Sequence, residues 1–239
     1  MGNIHEILKT YWGYDGFRFM QEDIINNVLS GNDTLALLPT GGGKSVCFQV
    51  PALAVDGMCL VISPLIALMN DQVDNLQKRG ISAATITSGM NRYEIEIVLN
   101  KCVHNKVKIL YVSPERLKNK MFVEHLKQMK VSIIAVDEAH CISQWGYDFR
   151  PPYLDIADIR KYHPCTPIIA LTATATISVI DDIKEKLLFR KGNKVFRKSF
   201  YRDNLAYMVL PEEDKYGRML RIIKKVEDCG KKSVRNRRR

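Results

Sequence analysis

Two clusters in the 239-residue chain hold residue types that can do chemistry together. The first is Leu38-Pro39-Thr40-Gly41-Gly42-Gly43-Lys44-Ser45, set between an apolar run over 34–38 and a helix-compatible run over 46–53. Three consecutive glycines let the backbone curl with its N–H groups inward. A helix N-terminus adds partial positive charge, and Lys44 can reach the β and γ phosphates of a nucleotide. Ser45 supplies the hydroxyl that such phosphate-binding loops place on Mg²⁺. Leu38 stands where the strict motif has its first glycine, so the match is to the Gly-Lys-Ser end. The second cluster is Asp137-Glu138, closing the apolar run over 131–136 and followed by Ala139 and His140. A strand that ends in two carboxylates puts them at the carboxyl edge of a sheet, where open α/β folds bind ligands. There an Asp can hold Mg²⁺ and the neighbouring Glu can orient or deprotonate an attacking water. Taken alone, each cluster also reads as structure, a strand-to-helix turn or a helix N-cap. Together they supply complementary parts of one phosphoryl-transfer reaction.

Three further segments carry polar or aromatic groups in suggestive order. Residues 141–153 interleave Gln144, Trp145, Tyr147, Phe149 and Arg150 with Gly146, Pro151 and Pro152, which suits stacking on unpaired bases or packing onto a partner domain. Residues 13–18 form a turn with Tyr14, Phe17 and Arg18 just ahead of the phosphate loop, and packing alone would account for the two rings. Residues 170–176 set hydroxyls at Thr172, Thr174 and Thr176 where a strand gives way to a helix; they can relay hydrogen bonds from the carboxylates, and Thr176 can cap the helix.

These groups need a scaffold. Apolar runs over 34–38, 58–63, 83–87, 107–112, 131–136 and 167–171 alternate with helical patterns over 65–78, 92–103, 115–129 (broken), 152–162 and 177–188. Helices over 3–12 and 20–29 precede the phosphate loop. Unbroken apolar strands alternating with helices predict an α/β fold with a mainly parallel sheet covered on both faces. No apolar run approaches the roughly 20 residues that span a bilayer, and the first ten residues lack a signal peptide's apolar stretch. The cytoplasm is therefore the expected compartment and no membrane partner is expected. Six scattered cysteines without Cys-x-x-Cys spacing read as reduced core residues. The net charge of +10 is weak testimony for a polyanion partner, because six of the 36 basic residues fall in 231–239, which holds no acidic residue.

Across roughly residues 5–211 the chain resembles the first RecA-like domain of a superfamily 2 DNA helicase of the RecQ family. The phosphate loop resembles motif I, Ser63-Pro64-Leu65-Ile66-Ala67-Leu68-Met69-Asn70-Asp71-Gln72 motif Ia, Asp137-Glu138-Ala139-His140 the DEAH box of motif II, and Leu171-Thr172-Ala173-Thr174-Ala175 motif III. Gln144-Trp145-Gly146-Tyr147-Asp148-Phe149-Arg150-Pro151 resembles the family's aromatic-rich loop, which couples single-stranded DNA to ATP hydrolysis. A His is common where Tyr147 stands. Residues 13–21 resemble motif 0, which implies that Tyr14 and Arg18 flank the adenine and Gln21 hydrogen-bonds it; the family usually has Pro-Gly where Phe19-Met20 stand. Ser113-Pro114-Glu115-Arg116 is similar to a further segment near the DNA path.

The resemblance implies ATP and Mg²⁺ as cofactors, held by Thr40, Gly41, Gly42, Gly43, Lys44 and Ser45, with the metal on Ser45 and Asp137 and Glu138 as the base. It implies contact or coupling to single-stranded and duplex DNA through Ser63, Asn70, Gln72, His140, Gln144, Trp145, Phe149, Arg150, Thr172 and Thr174. It also divides the chain into a RecA-like domain over 1–210 and, over 211–239, the start of a second such domain with a helix over 215–229 and a basic tail. The rest of that second domain, with its motif VI arginine finger, is expected to be missing, so unwinding by this chain alone is not expected. Two other functions stay open at this point: a module that holds nucleotide and DNA without turnover, and a nucleotide hydrolase acting on RNA or protein.

Overall fold

The apolar runs become strands because a parallel sheet covered on both faces buries their side chains while its ladders satisfy their backbone N–H and C=O groups. The computed structural model describes residues 2–39, 41–145, 148–197 and 211–236, with side chains up to 226. Seven strands, β1 (Thr34–Leu37), β2 (Met58–Ile62), β3 (Ala83–Ile86), β4 (Ile109–Val112), β5 (Val131–Val136), β6 (Ile168–Thr172) and β7 (Lys194–Arg197), form one sheet. Their order is β3-β4-β2-β5-β6-β1-β7, and every pairing is parallel.

Alternate side chains feed two cores. Leu35 and Leu37 join Leu60, Ile62, Ile134 and Val136 under α5 (Arg92–Val103), α6 (Lys120–Leu126) and α7 (Ile177–Lys186). Ala36 and Leu38 join Val61, Ile133 and Ala135 under α2 (Gln21–Leu29), α3 (Val46–Ala54) and α4 (Ile66–Lys78). Leu8 of α1 (Ile4–Trp12) closes a third, smaller cluster with Ile25 and Val50. Thr176 caps α7, its hydroxyl accepting from the Val179 N–H as the sequence suggested.

At the amino edge of the sheet, Asp33 is fully buried ahead of β1 and gathers Arg160 at 2.5 Å, Arg190 at 3.0 Å and the Ile168 N–H at 2.8 Å. Burial, the largest single influence, would raise its pKa, but the Arg190 and Arg160 guanidinium groups together with the Arg190 and Ile168 N–H groups more than offset it and hold the carboxyl below its ordinary range.

Four expectations are corrected. Residues 152–162 are not an α-helix; Pro151–Lys161 is a run of tighter 3₁₀ turns, begun by two prolines that offer no N–H. β7 lies outside every apolar run in the sequence, because it is a mostly exposed edge strand against β1. Cys165 is exposed, whereas Cys47, Cys59, Cys102 and Cys141 are buried free thiols. The helix expected over 215–229 runs further, as α8 (Lys215–Asn236), into the stretch read as a tail.

The chain divides into two compact units, Met1–Ser199 and Phe200–Arg239. The boundary expected at 210 falls among residues 198–210, outside the described ones. Among the described residues no helix is long and apolar enough to cross a membrane.

Candidate active site

The phosphate loop leaves β1 through Leu38, whose N–H donates to the Thr172 carbonyl at 3.1 Å, and turns at Pro39, whose carbonyl accepts from Gly42 at 2.8 Å. Gly41 and Gly43 take φ of 77° and 75°, which side chains rarely adopt, and a Cβ on Gly42 would sit 2.8 Å from the Pro39 oxygen. The glycines are thus required by the curl of the loop. The N–H groups of Gly41, Gly43, Lys44 and Ser45 donate to no other described residue. Ser45 opens α3, and its hydroxyl caps no backbone N–H.

Lys44 Nζ lies 3.3 Å from Glu138 Oε1, an ion pair joining residues 94 apart in the chain. Sheet order explains the meeting: β6 alone separates β1 from β5, so their carboxyl ends open side by side. Asp137 is fixed on every side. Its N–H donates to the Ile62 carbonyl at 2.8 Å, its own carbonyl accepts from the Tyr153 hydroxyl at 2.9 Å, and its carboxylate accepts from the Ser63 hydroxyl at 3.3 Å and the Glu138 N–H at 3.0 Å. Burial raises its pKa, and the Glu138 charge pushes the same way. Glu138 instead is lowered, first by its hydrogen bond with His140 and then, against the cost of burial, by Lys44. Its backbone is left-handed, with φ and ψ both 46°, a conformation that costs a non-glycine residue on the order of 1 kcal/mol and clusters at functional sites.

His140 continues the chain of contacts. The Cys141 thiol 3.9 Å from Nε2 and the Glu138 carboxylate 3.3 Å from Nδ1 raise its pKa to about 9. Nδ1 also lies 2.9 Å from the Thr172 hydroxyl. That hydroxyl in turn donates to the Thr174 carbonyl at 3.1 Å and accepts the Thr174 N–H at 3.2 Å. The threonines at the end of β6 are thereby wired to the carboxylates at the end of β5.

Beside the loop is a cavity of about 380 Å³ lined by Trp12, Tyr14, Arg18, Gln21, Gly43 and Val46 among others. Gln21 lines this cavity with its amide already engaged. Its Oε1 accepts from the Arg18 N–H at 2.8 Å and its Nε2 donates to the carbonyls of Gly43 at 3.1 Å and Gly42 at 3.4 Å. Arg18 Nη1 donates to the Gly41 carbonyl at 2.8 Å, so both residues brace the phosphate loop from outside. Met20 stands at φ 68°, the left-handed conformation that a glycine accepts most easily.

The remaining candidates separate. Ser63 is buried against Asp137, and Gln72 is half-buried, its Oε1 accepting from Gln49, which also donates to the Tyr111 hydroxyl. Asn70, Gln144 and Thr174 are exposed, Phe149 is half-buried, and the Trp145 ring is 78% exposed. Arg150 is occupied: Nε and Nη2 reach Asp148 Oδ2 at 3.1 and 2.9 Å, and Nη1 donates to the Pro64 carbonyl at 3.4 Å. Thr40, Gly146 and Tyr147 lie outside the described residues. Sequence reasoning missed Gln49, whose type and neighbours carry no distinctive pattern, and the Ser143–Asp182 hydrogen bond of 2.5 Å that anchors the loop next to Trp145; Tyr153, one of the rings in the aromatic segment over 141–153, is fully buried.

Known proteins bear on this geometry. The family model described as DEAD/DEAH box helicase matches residues 18–183. An "ATP-dependent DNA helicase RecQ" of Haemophilus influenzae is 46% identical over 210 residues, which are 88% of this chain and 33% of that relative. A "Probable ATP-dependent DNA helicase RecS" of Bacillus subtilis is 42% identical over 229 residues, 95% of this chain and 46% of that relative. The chain thus spans about a third to a half of the length of these relatives. Among solved structures, the Pyrococcus furiosus Hef helicase domain superposes with a TM-score of 0.59 at 20% identity, over 78% of this chain and 38% of that one. The DUF1998 helicase MrfA bound to DNA superposes with a TM-score of 0.65 at 17% identity, over 82% of this chain and 29% of that one. At those identities the likeness speaks for the fold, the RecA-like α/β arrangement anticipated from the sequence. With the family model covering the phosphate loop, the carboxylate pair and the strand between them, the chain belongs to the DEAD/DEAH box helicase family.

Proposed function

We propose that the chain is the ATP-binding motor domain of a RecQ-like DNA helicase, coupling ATP hydrolysis to movement along single-stranded DNA. The observation that carries this reading is the Lys44–Glu138 pair, which joins the cationic phosphate ligand to the candidate base across the sheet. The loop with its inward N–H groups takes the phosphates of ATP, and Tyr14 and Arg18 take the base. Gln21 reaches the adenine by giving up one of its bonds to the loop, so nucleotide entry and loop geometry are linked.

Mg²⁺ suits the donors present. Ser45 has a hydroxyl engaged in no cap, and Asp137 is a buried carboxylate whose anion burial disfavours, both hard oxygen ligands. Bound there, the ion would neutralise charge on the β and γ phosphates. Glu138 is held by His140 and Lys44 as a weak base. When a γ-phosphate draws Lys44 away, Glu138 loses one of these cations and its basicity rises, ready to take a proton from the attacking water. DNA on the face carrying Trp145, Phe149 and Arg150 is read through Ser143, Asp148 and the His140–Thr172 contact.

Steady-state ATPase measurements with and without single-stranded DNA, on the parent chain and Lys44→Ala, test the reading. DNA-stimulated turnover lost in the variant supports it. Nucleotide and DNA binding with no turnover supports a binding module, and stimulation by RNA but not DNA supports a different substrate.

A further inference from the structure

We propose that the free edge of β3 is a docking site for an extended acidic peptide segment of another protein, added to the sheet as an eighth strand. Among the described residues β3 pairs with β4 alone. In a parallel strand the N–H and C=O of one residue point to the same side and successive residues alternate. The Gln77 amide donates to the Ala83 carbonyl at 2.9 Å, which marks Ala83 as facing away from β4, and Thr85 faces the same way. Thr85 therefore presents a backbone donor and acceptor at the open edge. Alongside it runs a cavity of about 590 Å³, walled by Val73 and Gln77 of α4 on one face of the sheet and Val98 and Lys101 of α5 on the other. The neighbouring Thr85 Oγ1 is buried with no hydrogen-bond partner, so the edge strand carries an unmet polar group of its own.

Charge selects the occupant. Lys101 and Lys106 line the cavity, no carboxylate does, and neither lysine has an acidic partner among the described residues. Lysines at a sheet edge repel a second copy, whose own pair would meet them across the new ladder. A strand with carboxylates at alternate positions meets Lys101 favourably on the α5 face, while its other side chains rest on Val73 on the α4 face. Main-chain bonds at Thr85 would give affinity and the lysines specificity, the division of labour usual in strand addition.

The probe is a labelled, capped octapeptide alternating valine and glutamate, titrated by anisotropy against the 239-residue chain, with a valine–lysine peptide as control. The acidic peptide is expected to bind, more weakly as salt rises, and to slow amide hydrogen exchange at Thr85. The double variant Lys101→Glu/Lys106→Glu is expected to lose about tenfold in affinity. Equal binding of the two peptides, unchanged affinity in the double variant, or unchanged exchange at Thr85 overturns the proposal. So does a dimer formed through this edge that the peptide fails to dissociate, which would assign the edge to a second copy.

Discussion

His140 Nδ1 and the Thr172 hydroxyl lie 2.9 Å apart, a contact between the carboxyl ends of two adjacent strands, β5 and β6. Because Nδ1 also faces Glu138, the imidazole is the shared element between the candidate base and the Thr172–Thr174 turn. A change at either end alters the ring's partners, which is what a coupling element needs.

Glu138→Gln preserves side-chain shape and removes the base. ATP affinity is expected to change little, while turnover falls on the order of 10²–10⁴-fold. Calorimetric nucleotide titration and phosphate release measured on one preparation check this, and full turnover in the variant rules the role out.

The carboxylate–lysine meeting was legible in the sequence because each half lies in a pattern with a mechanism: glycines that demand a curl, and an apolar run ending in acids. The alternation of strands and helices was legible for the same reason. β7 was not, since Lys194–Arg197 has no apolar run and owes its strand form to pairing with β1. Nor was the real occupation of Gln21 and Arg150, because hydrogen bonds to Gly43 or Asp148 depend on how loops fold back, which spacing does not encode. Asp33 reads in sequence as an ordinary loop acid, and its two arginine partners stand 127 and 157 residues away.

The His140 pKa makes stability depend on pH. The imidazole titrates near 6.5 when unfolded and about 9 when folded, so protonation favours the folded state. This contribution is complete below pH 6.5 and is lost as pH rises through 9, an effect on the order of 1–3 kcal/mol. Urea melts across that window are expected to show the decline, and Cys141→Ala and Glu138→Gln each to flatten it. An NMR titration placing the ring near 6.5 in the parent chain would remove the basis for this.

Trp145 is 78% exposed beside the anchored Ser143, the exposure that the proposed stacking on a base needs. Trp145→Ala is expected to weaken single-stranded DNA binding by about 1–3 kcal/mol with little change in melting temperature. Equal anisotropy curves for the two proteins would assign the ring to protein packing instead.

Leu188 offers a test independent of function. It follows α7 at φ 51° and is 58% exposed, and the bonds from Phe189 N–H to the Lys184 carbonyl and from Leu188 N–H to the Glu185 carbonyl close the helix in the manner usually left to glycine. Leu188→Gly is expected to stabilise the fold by about 1 kcal/mol. For a chain of this size the melting temperature, read by calorimetry, should rise by roughly 2–4 °C.

The burial of Asp33 also constrains how the protein is made. Its carboxylate sits at the start of β1, yet the groups that compensate it, Arg160, Ile168 and Arg190, leave the ribosome 127, 135 and 157 residues later. At synthesis rates of about 5–20 residues per second, β1 has no favourable resting place for several seconds to tens of seconds. The earliest strand of the sheet is thus among the last to be locked, and the emerging chain must keep its apolar segments apart until residue 190 arrives. Synonymous codon changes upstream of Arg190 that alter elongation speed would therefore act on the yield of folded protein while leaving its sequence untouched.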